Sequence, residues 1–186
     1  MSDLTITHAG ISVTPSVKSG EFFTADRKLN QMRVSLIDAE LTTVAAAIAN
    51  NEVISQGIKI ENAVSAKGGT GIIQSITLNN DDAEMPAIDL IFTQVSTDIS
   101  DAESEVIGNS VSDLDATGAS VLGVVTIADW ANHVDFTTCT RTNVGLIIKA
   151  AADTKDIWVH AINRSGGNFT PTATNDLHLR VGIMKD

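Results

Sequence analysis

In DLHLRVGIM, near the C-terminus, Leu177, Leu179, Val181 and Ile183 occupy every second position, with His178, Arg180, Gly182 and Met184 between them. A period of two places the first set on one face of a strand and the second on the other, whereas a helix would scatter both around its axis. This alternation constrains the fold more than any other feature, because it recurs along the chain. Leu4, Ile6 and His8 share a face, Ile11 and Val13 repeat the pattern, and Ala9-Gly10 between them reads as the turn of a short hairpin. MRVSLI sets Met32, Val34 and Leu36 against Arg33, Ser35 and Ile37, and QGIKIENAV sets Ile58 and Ile60 against Lys59 and Glu61. IIQSITL aligns Ile72, Ile76 and Leu78, with Gln74 among them, against Ile73, Ser75 and Thr77; AIDLIFTQV aligns Ile88, Leu90, Phe92 and Gln94. VLGVVTIADW, NVGLIIKA and DIWVHAI are also strand-like.

Val, Ile and Thr supply 56 of the 186 residues, and these stiff side chains fit a pleated surface better than a helix. Only ELTTVAAAIANNEVIS resists the pattern. There Leu41, Val44, Ala45 and Ile48 match helical spacing, and local signals leave helix or strand open. Roughly eight to ten strand candidates with turn formers between them, and no alternation of strands with helices, predict an all-β chain. The expected architecture is a jelly-roll-like β-sandwich over residues 33–186, preceded by an N-terminal extension or arm, residues 1–32, that carries the adjacent pair Phe22 and Phe23. From Ser96 to Ser120 the chain turns polar and acidic, with Ile99, Val106, Ile107, Val111 and Leu114 as its apolar anchors. Connections that long commonly build an interface or a lid.

Charge narrows the partners. With 12 Lys and Arg against 23 Asp and Glu, the net charge of −11 lacks the basic footprint that neutralises phosphates, so no nucleic-acid partner is expected. No apolar run approaches the roughly 20 residues that cross a bilayer, so no membrane partner is expected either. The lone Cys139 has no internal disulfide partner, and no charged and then apolar leader opens the sequence, so the sequons at Asn163 and Asn168 read as chance matches.

Each motif suggestive of chemistry is incomplete. AKGGTG has a phosphate loop's composition, but Lys67 precedes the glycines and a period-two run follows Gly71, so no helix N-terminus faces a phosphate. DLDATG places Asp113, Asp115, Thr117 and Gly118 as in a calcium loop, yet Val124 stands where the bidentate glutamate belongs. His8, His133, His160 and His178 form no paired motif of the kind that holds a metal on adjoining strands. Nothing around Cys139 activates a thiol, and Trp130 and Trp158 read as packing residues. No catalytic residue, metal or cofactor is therefore expected, and the chain is not expected to be an enzyme.

The series KGGTGIIQSITL, PAIDLIFTQV, LGVVTIADW, NVGLIIKAAADTKDIWVHAI and DLHLRVGIMKD resembles a family of tailed-bacteriophage virion proteins, the small β-rich decoration or cement proteins of the capsid exterior. The likeness runs from about Met32 to Asp186, and the longer extension at residues 1–32 departs from it. The resemblance implies a jelly-roll-like fold and a strand pair turning at Asn50-Asn51. It also implies synthesis in the host cytoplasm, assembly as a homotrimer, and clamping of neighbouring major capsid protein subunits on the outer capsid surface. On that reading Phe22, Phe23, Ile99, Val106, Val111 and Leu114 are the candidate interface residues. A carbohydrate- or receptor-binding sandwich on a virion, with Asp113, Asp115 and Trp130 at its site, is the rival expectation.

Overall fold

The alternation in the closing residues is realised in full: Leu177, Leu179, Val181 and Ile183 are all buried, while Arg180 between them is exposed. The computed structural model describes residues 6–8, 11–13, 33–97, 99 and 120–185, and the chain divides into Met1–Met32 and Arg33–Asp186. In the first unit β1 (Ile6–His8) pairs antiparallel with β2 (Ile11–Val13), with His8 opposite Ile11.

The second unit contains β3 (Arg33–Leu41), β4 (Val53–Ile60), β5 (Thr70–Asn80), β6 (Ile88–Thr93), β7 (Val121–Ile127), β8 (Ala131–Asn132), β9 (Thr137–Lys149), β10 (Ile157–Asn163) and β11 (Leu177–Lys185). They form two antiparallel sheets, a five-stranded one in the order β3-β11-β5-β9-β8 and a four-stranded one in the order β4-β10-β6-β7. The chain crosses between sheets at nearly every connection, so sequence neighbours are seldom sheet neighbours. Leaving the short β8 aside, this order is that of the jelly roll, two nested Greek keys. The sandwich read from alternation and turn spacing is the observed fold.

The main core lies between the sheets. From the five-stranded side come Ile73, Ile76, Leu78 and the four buried β11 residues; from the other come Ile88, Leu90, Phe92, Ile157 and Val159. Each such side chain contributes roughly 1.5–3 kcal/mol by leaving water.

In two places the structure departs from the sequence reading. The first is β5, where Ile73, Ile76 and Leu78 face the core and Ile72 is only half-buried. The register against β11 shifts between Ile73 and Ser75, so Gln74 is the extra residue of a bulge and the inward parity changes across it. A strict period of two through Gln74 therefore assigns Ile72 to the wrong face. The second is residues 42–52, which form no helix: the exposed Ala45, Ala46 and Ala47 contrast with the buried Ile48. Long-range partners take up the backbone instead, with Thr43 N–H donating to Thr174 O, Asn51 N–H to Asn163 O, and Ile48 bridging Phe169. The turn at Asn50-Asn51 is present, with Asn51 at φ 69°, but the segment before it contributes a single bridge and no strand.

The glycine stretch is a bend. Gly68 sits at φ 68°, its N–H donates to Thr154 O, and Gly69 O accepts from Ala150 N–H, so the loop is tied to residues 150–154. Lys67 is exposed beside it.

Candidate functional site

Of the six candidate interface residues, Phe22, Phe23, Val106, Val111 and Leu114 lie outside the described residues, as do Asp113 and Asp115 of the calcium-like loop. Ile99 is described. It is fully buried with Val53, Ile91 and Ile162 in a second apolar cluster, so it anchors the start of the acidic connection and presents no side chain at the surface.

That second cluster lies on the face of the four-stranded sheet turned away from the main core. His160 shares this face on β10 and is also fully buried. Gly57 N–H donates to its Nδ1 at 3.1 Å, which leaves the ring proton on Nε2, 3.1 Å from Thr93 Oγ1. Thr93 in turn donates to Val95 O at 2.8 Å. The imidazole thus holds the bend at Gly57, whose φ is 66°.

The other residues with chemical potential are not brought together. His133 stacks on Phe136 in the turn before β9, with ring centroids 4.7 Å apart. Cys139 faces the interior from β9, and burial pushes its thiol up from the ordinary value. Trp130 packs against the main core and donates Nε1–H to Pro86 O at 2.7 Å, as a packing residue would. Asn163 is buried and its amide donates to Ile48 O and Gly167 O, so the nitrogen of the first sequon is already engaged. Among the described residues no three His, Cys, Asp or Glu side chains are grouped to hold a metal ion.

At one end of the sandwich, carboxylates tie loops together. Asp82 accepts from Thr172 N–H and Thr172 Oγ1, Asp176 from Ala173 N–H, and Glu84 from Thr170 N–H, at 2.6–3.0 Å. The Asp82 and Glu84 contacts fasten the β5–β6 connection to the β10–β11 connection, and the Asp176 contact closes a turn within the latter. They satisfy loop N–H groups that would otherwise depend on water.

The most distinctive surface is the outward face of β3-β11-β5-β9. Register places four residues in each of four transverse rows. The first is Val34, Met184, Ile72 and Ile147; the second is Leu36, Gly182, Ser75 and Thr142. The third is Asp38, Arg180, Thr77 and Thr140; the fourth is Glu40, His178, Asn79 and Thr138. The first row is therefore apolar, Leu36 extends it into the second, and the two rows beyond form a polar half. In the polar half Arg180 Nε donates to Asp38 Oδ1 at 2.5 Å, and that hydrogen bond, outweighing slight desolvation, holds the Asp38 carboxyl below its ordinary value of 3.8. Thr77 and Thr140 hydroxyls meet at 3.1 Å, and Thr138 donates to Asn79 at 2.7 Å. Val34, Leu36 and Ile147 are 69%, 66% and 70% exposed.

The alternation in MRVSLI puts Val34 and Leu36 on one face but does not say which face is outward. Ile72 and Ile147 join that face because of two irregularities. One is the bulge at Gln74; the other is a wider one in β9, where Asn143 at φ 57° and Gly145 at φ 69° lie between the residues paired to Ile73 and Ser75.

No protein-family profile matches the chain, and no curated protein matches it. Among solved structures it is similar to a chain of Desmodium yellow mottle tymovirus, at 13% identity and a TM-score of 0.26, covering 98% of this chain and 93% of that one. It is also similar to a chain in a heated full particle of Israeli acute paralysis virus, at 9% identity and a TM-score of 0.28, covering 98% and 89%. The class rests on the strand order itself: the chain is a jelly-roll β-sandwich.

Proposed function

We propose that the chain is a structural virion protein that decorates and stabilises the outer surface of a bacteriophage capsid, binding as a trimer across major capsid protein subunits. The observation that carries this reading is a two-sheet scaffold whose outward β3-β11-β5-β9 face carries an apolar row across four strands, with Val34, Leu36 and Ile147 about two-thirds exposed. Such a face suits association more than turnover. The sequence resemblance set out above supplies the capsid as the surface to be bound. Asp82 and Glu84 fasten the β5–β6 connection to Thr172 and Thr170 of the β10–β11 connection, which suits a clamp that must hold its shape under load. An acidic chain of net charge −11 is also kept from the packaged genome and complements basic patches on a shell.

The test is addition of the purified protein to capsids that lack decoration. Saturable binding that raises the capsid's resistance to heat is the expected result. A protein that leaves such capsids unbound at micromolar concentration overturns the reading, and binding to a glycan array in its place would favour the receptor-binding alternative.

A further inference from the structure

We propose that the free edge of β7 takes up an extended polypeptide segment, which adds a fifth strand to the four-stranded sheet, and that a major capsid protein subunit supplies it. The donor's identity rests on the proposed function, whereas the site rests on the geometry of β7.

Hydrogen bonds at the two ends of β6 show which groups of β7 are free. Gln94 N–H donates to Ser120 O on the β7 side, whereas Ala87 O accepts from Arg164 N–H on the β10 side. Backbone groups alternate from side to side along a strand, so Leu90 and Ile88 turn toward β7 as Gln94 does. Their partners Val125 and Ile127 turn toward β6, and Val124 and Thr126 turn N–H and C=O outward. Among the described residues no strand pairs with that outer edge.

A row of unpaired donors and acceptors is complementary to another extended backbone, and edges are ordinarily guarded against one by charge, bulges or brevity. The other three ends of the two sheets have such guards. β3 carries Arg33, Asp38 and Glu40, β4 carries Lys59 and two register shifts against β10, and β8 is two residues long. β7, VLGVVTI, holds no charge and no proline, and its one register shift lies at its start, so Gly123–Ile127 pair regularly with β6. Val124 is 53% exposed.

The space beside this edge suits a strand. A groove of about 520 Å³ runs between β7 and β9, with Val124, Val125, Arg141 and Val144 in its walls. β8 covers the β9 side only opposite Thr137 and Thr138. Val125 and Val144 pack against the core while staying partly open, so apolar side chains on the inner face of an added strand would complete their burial. At one end of the groove the Asp129 side chain is 82% exposed, although Arg141 reaches its carboxylate at 3.1 Å. The segment that fits is therefore extended, uncharged along its middle and flanked by a basic residue.

Binding of full-length variants to capsids that lack decoration tests the inference. Thr126→Pro removes one outward N–H, a change that an edge strand tolerates, while Thr126→Val keeps that N–H and loses the same side-chain contact to Asp89. Val124→Lys sets a charge beside the edge at an exposed position and needs no change of backbone. All three are expected to keep the wild-type circular dichroism spectrum. Thr126→Pro and Val124→Lys should bind at least about tenfold more weakly than the wild type, and Thr126→Val within about twofold of it. In the capsid-bound wild type, hydrogen exchange should slow at the amides of Val124 and Thr126, which the free chain leaves open. Wild-type binding by Thr126→Pro and Val124→Lys, or unchanged exchange at those amides, overturns the inference and leaves the capsid reading standing. Equal losses in Thr126→Val and Thr126→Pro trace the effect to the side chain and overturn it too. A wild type that never binds capsids overturns both readings. Free wild type that light scattering finds associated, and that Thr126→Pro disperses, shows β7 pairing with a second copy and overturns the inference as well.

Discussion

The outer faces of the two sheets have opposite fates. On the four-stranded sheet, Val53, Ile91 and Ile162 are buried with Ile99, and His160 lies buried on the same face. On the five-stranded sheet, Val34, Leu36 and Ile147 are about two-thirds exposed. Both faces carry β-branched side chains, so residue type does not separate them. What separates them is cover: Ile99, from the connection after β6, packs on one face, while none of the described connections packs on the other. A strand buried on both sides loses its polar alternation, as in the run of Leu90, Ile91, Phe92 and Thr93, all buried. The comparison shows that strands of like composition leave an apolar outward residue buried on one sheet and exposed on the other, and the cover supplied by the connections makes the difference.

The sharpest way to break this contrast is one substitution on each face. Ile91→Asp, at a site 4% exposed, would bury a carboxylate opposite His160 among apolar side chains. It is expected to cost more than about 4 kcal/mol, most of a domain's ordinary stability. Val34→Asp is expected to change the unfolding free energy by less than about 1 kcal/mol in dilute solution, where copies are apart. Urea denaturation measures both, and equal losses would erase the distinction between the faces.

A smaller effect is expected from the histidines. His160→Ala removes packing and leaves the Gly57 N–H without its acceptor, at about 2–4 kcal/mol. His178→Ala, on the open face where the ring lies 3.2 Å from Asp81, should cost less than about 0.5 kcal/mol. If the His160 variant melts with the wild type, the buried network has no structural role.

The smallest effect concerns pH. Asp38 is held below its ordinary value of 3.8 by Arg180, so its folded value is lower than its unfolded one. The pair's contribution is therefore complete above about pH 4 and is lost as pH falls through the lower folded value. Melting temperatures between pH 5 and pH 2 should fall slightly less steeply for Asp38→Asn than for the wild type. Parallel curves would mean that solvent screens the pair completely.

The sequence by itself determined the secondary structure class, the inward face of β11 and the role of the glycine bend, because these depend on local chemistry. Period-two alternation fits strands, Lys67 ahead of the glycines rules out a phosphate loop, and Gly68 can adopt a positive φ that other residues resist. Only the tertiary structure decided the rest. The bulge at Gln74 changed the inward residue from Ile72 to Ile73, and contacts with the β10–β11 connection kept residues 42–52 from a helix. The open apolar row emerged only when four strands distant in sequence came into register. Alternation tells two faces of a strand apart. Which face meets water, a loop or another molecule is set by groups that arrive from elsewhere in the chain, and no local pattern encodes their arrival.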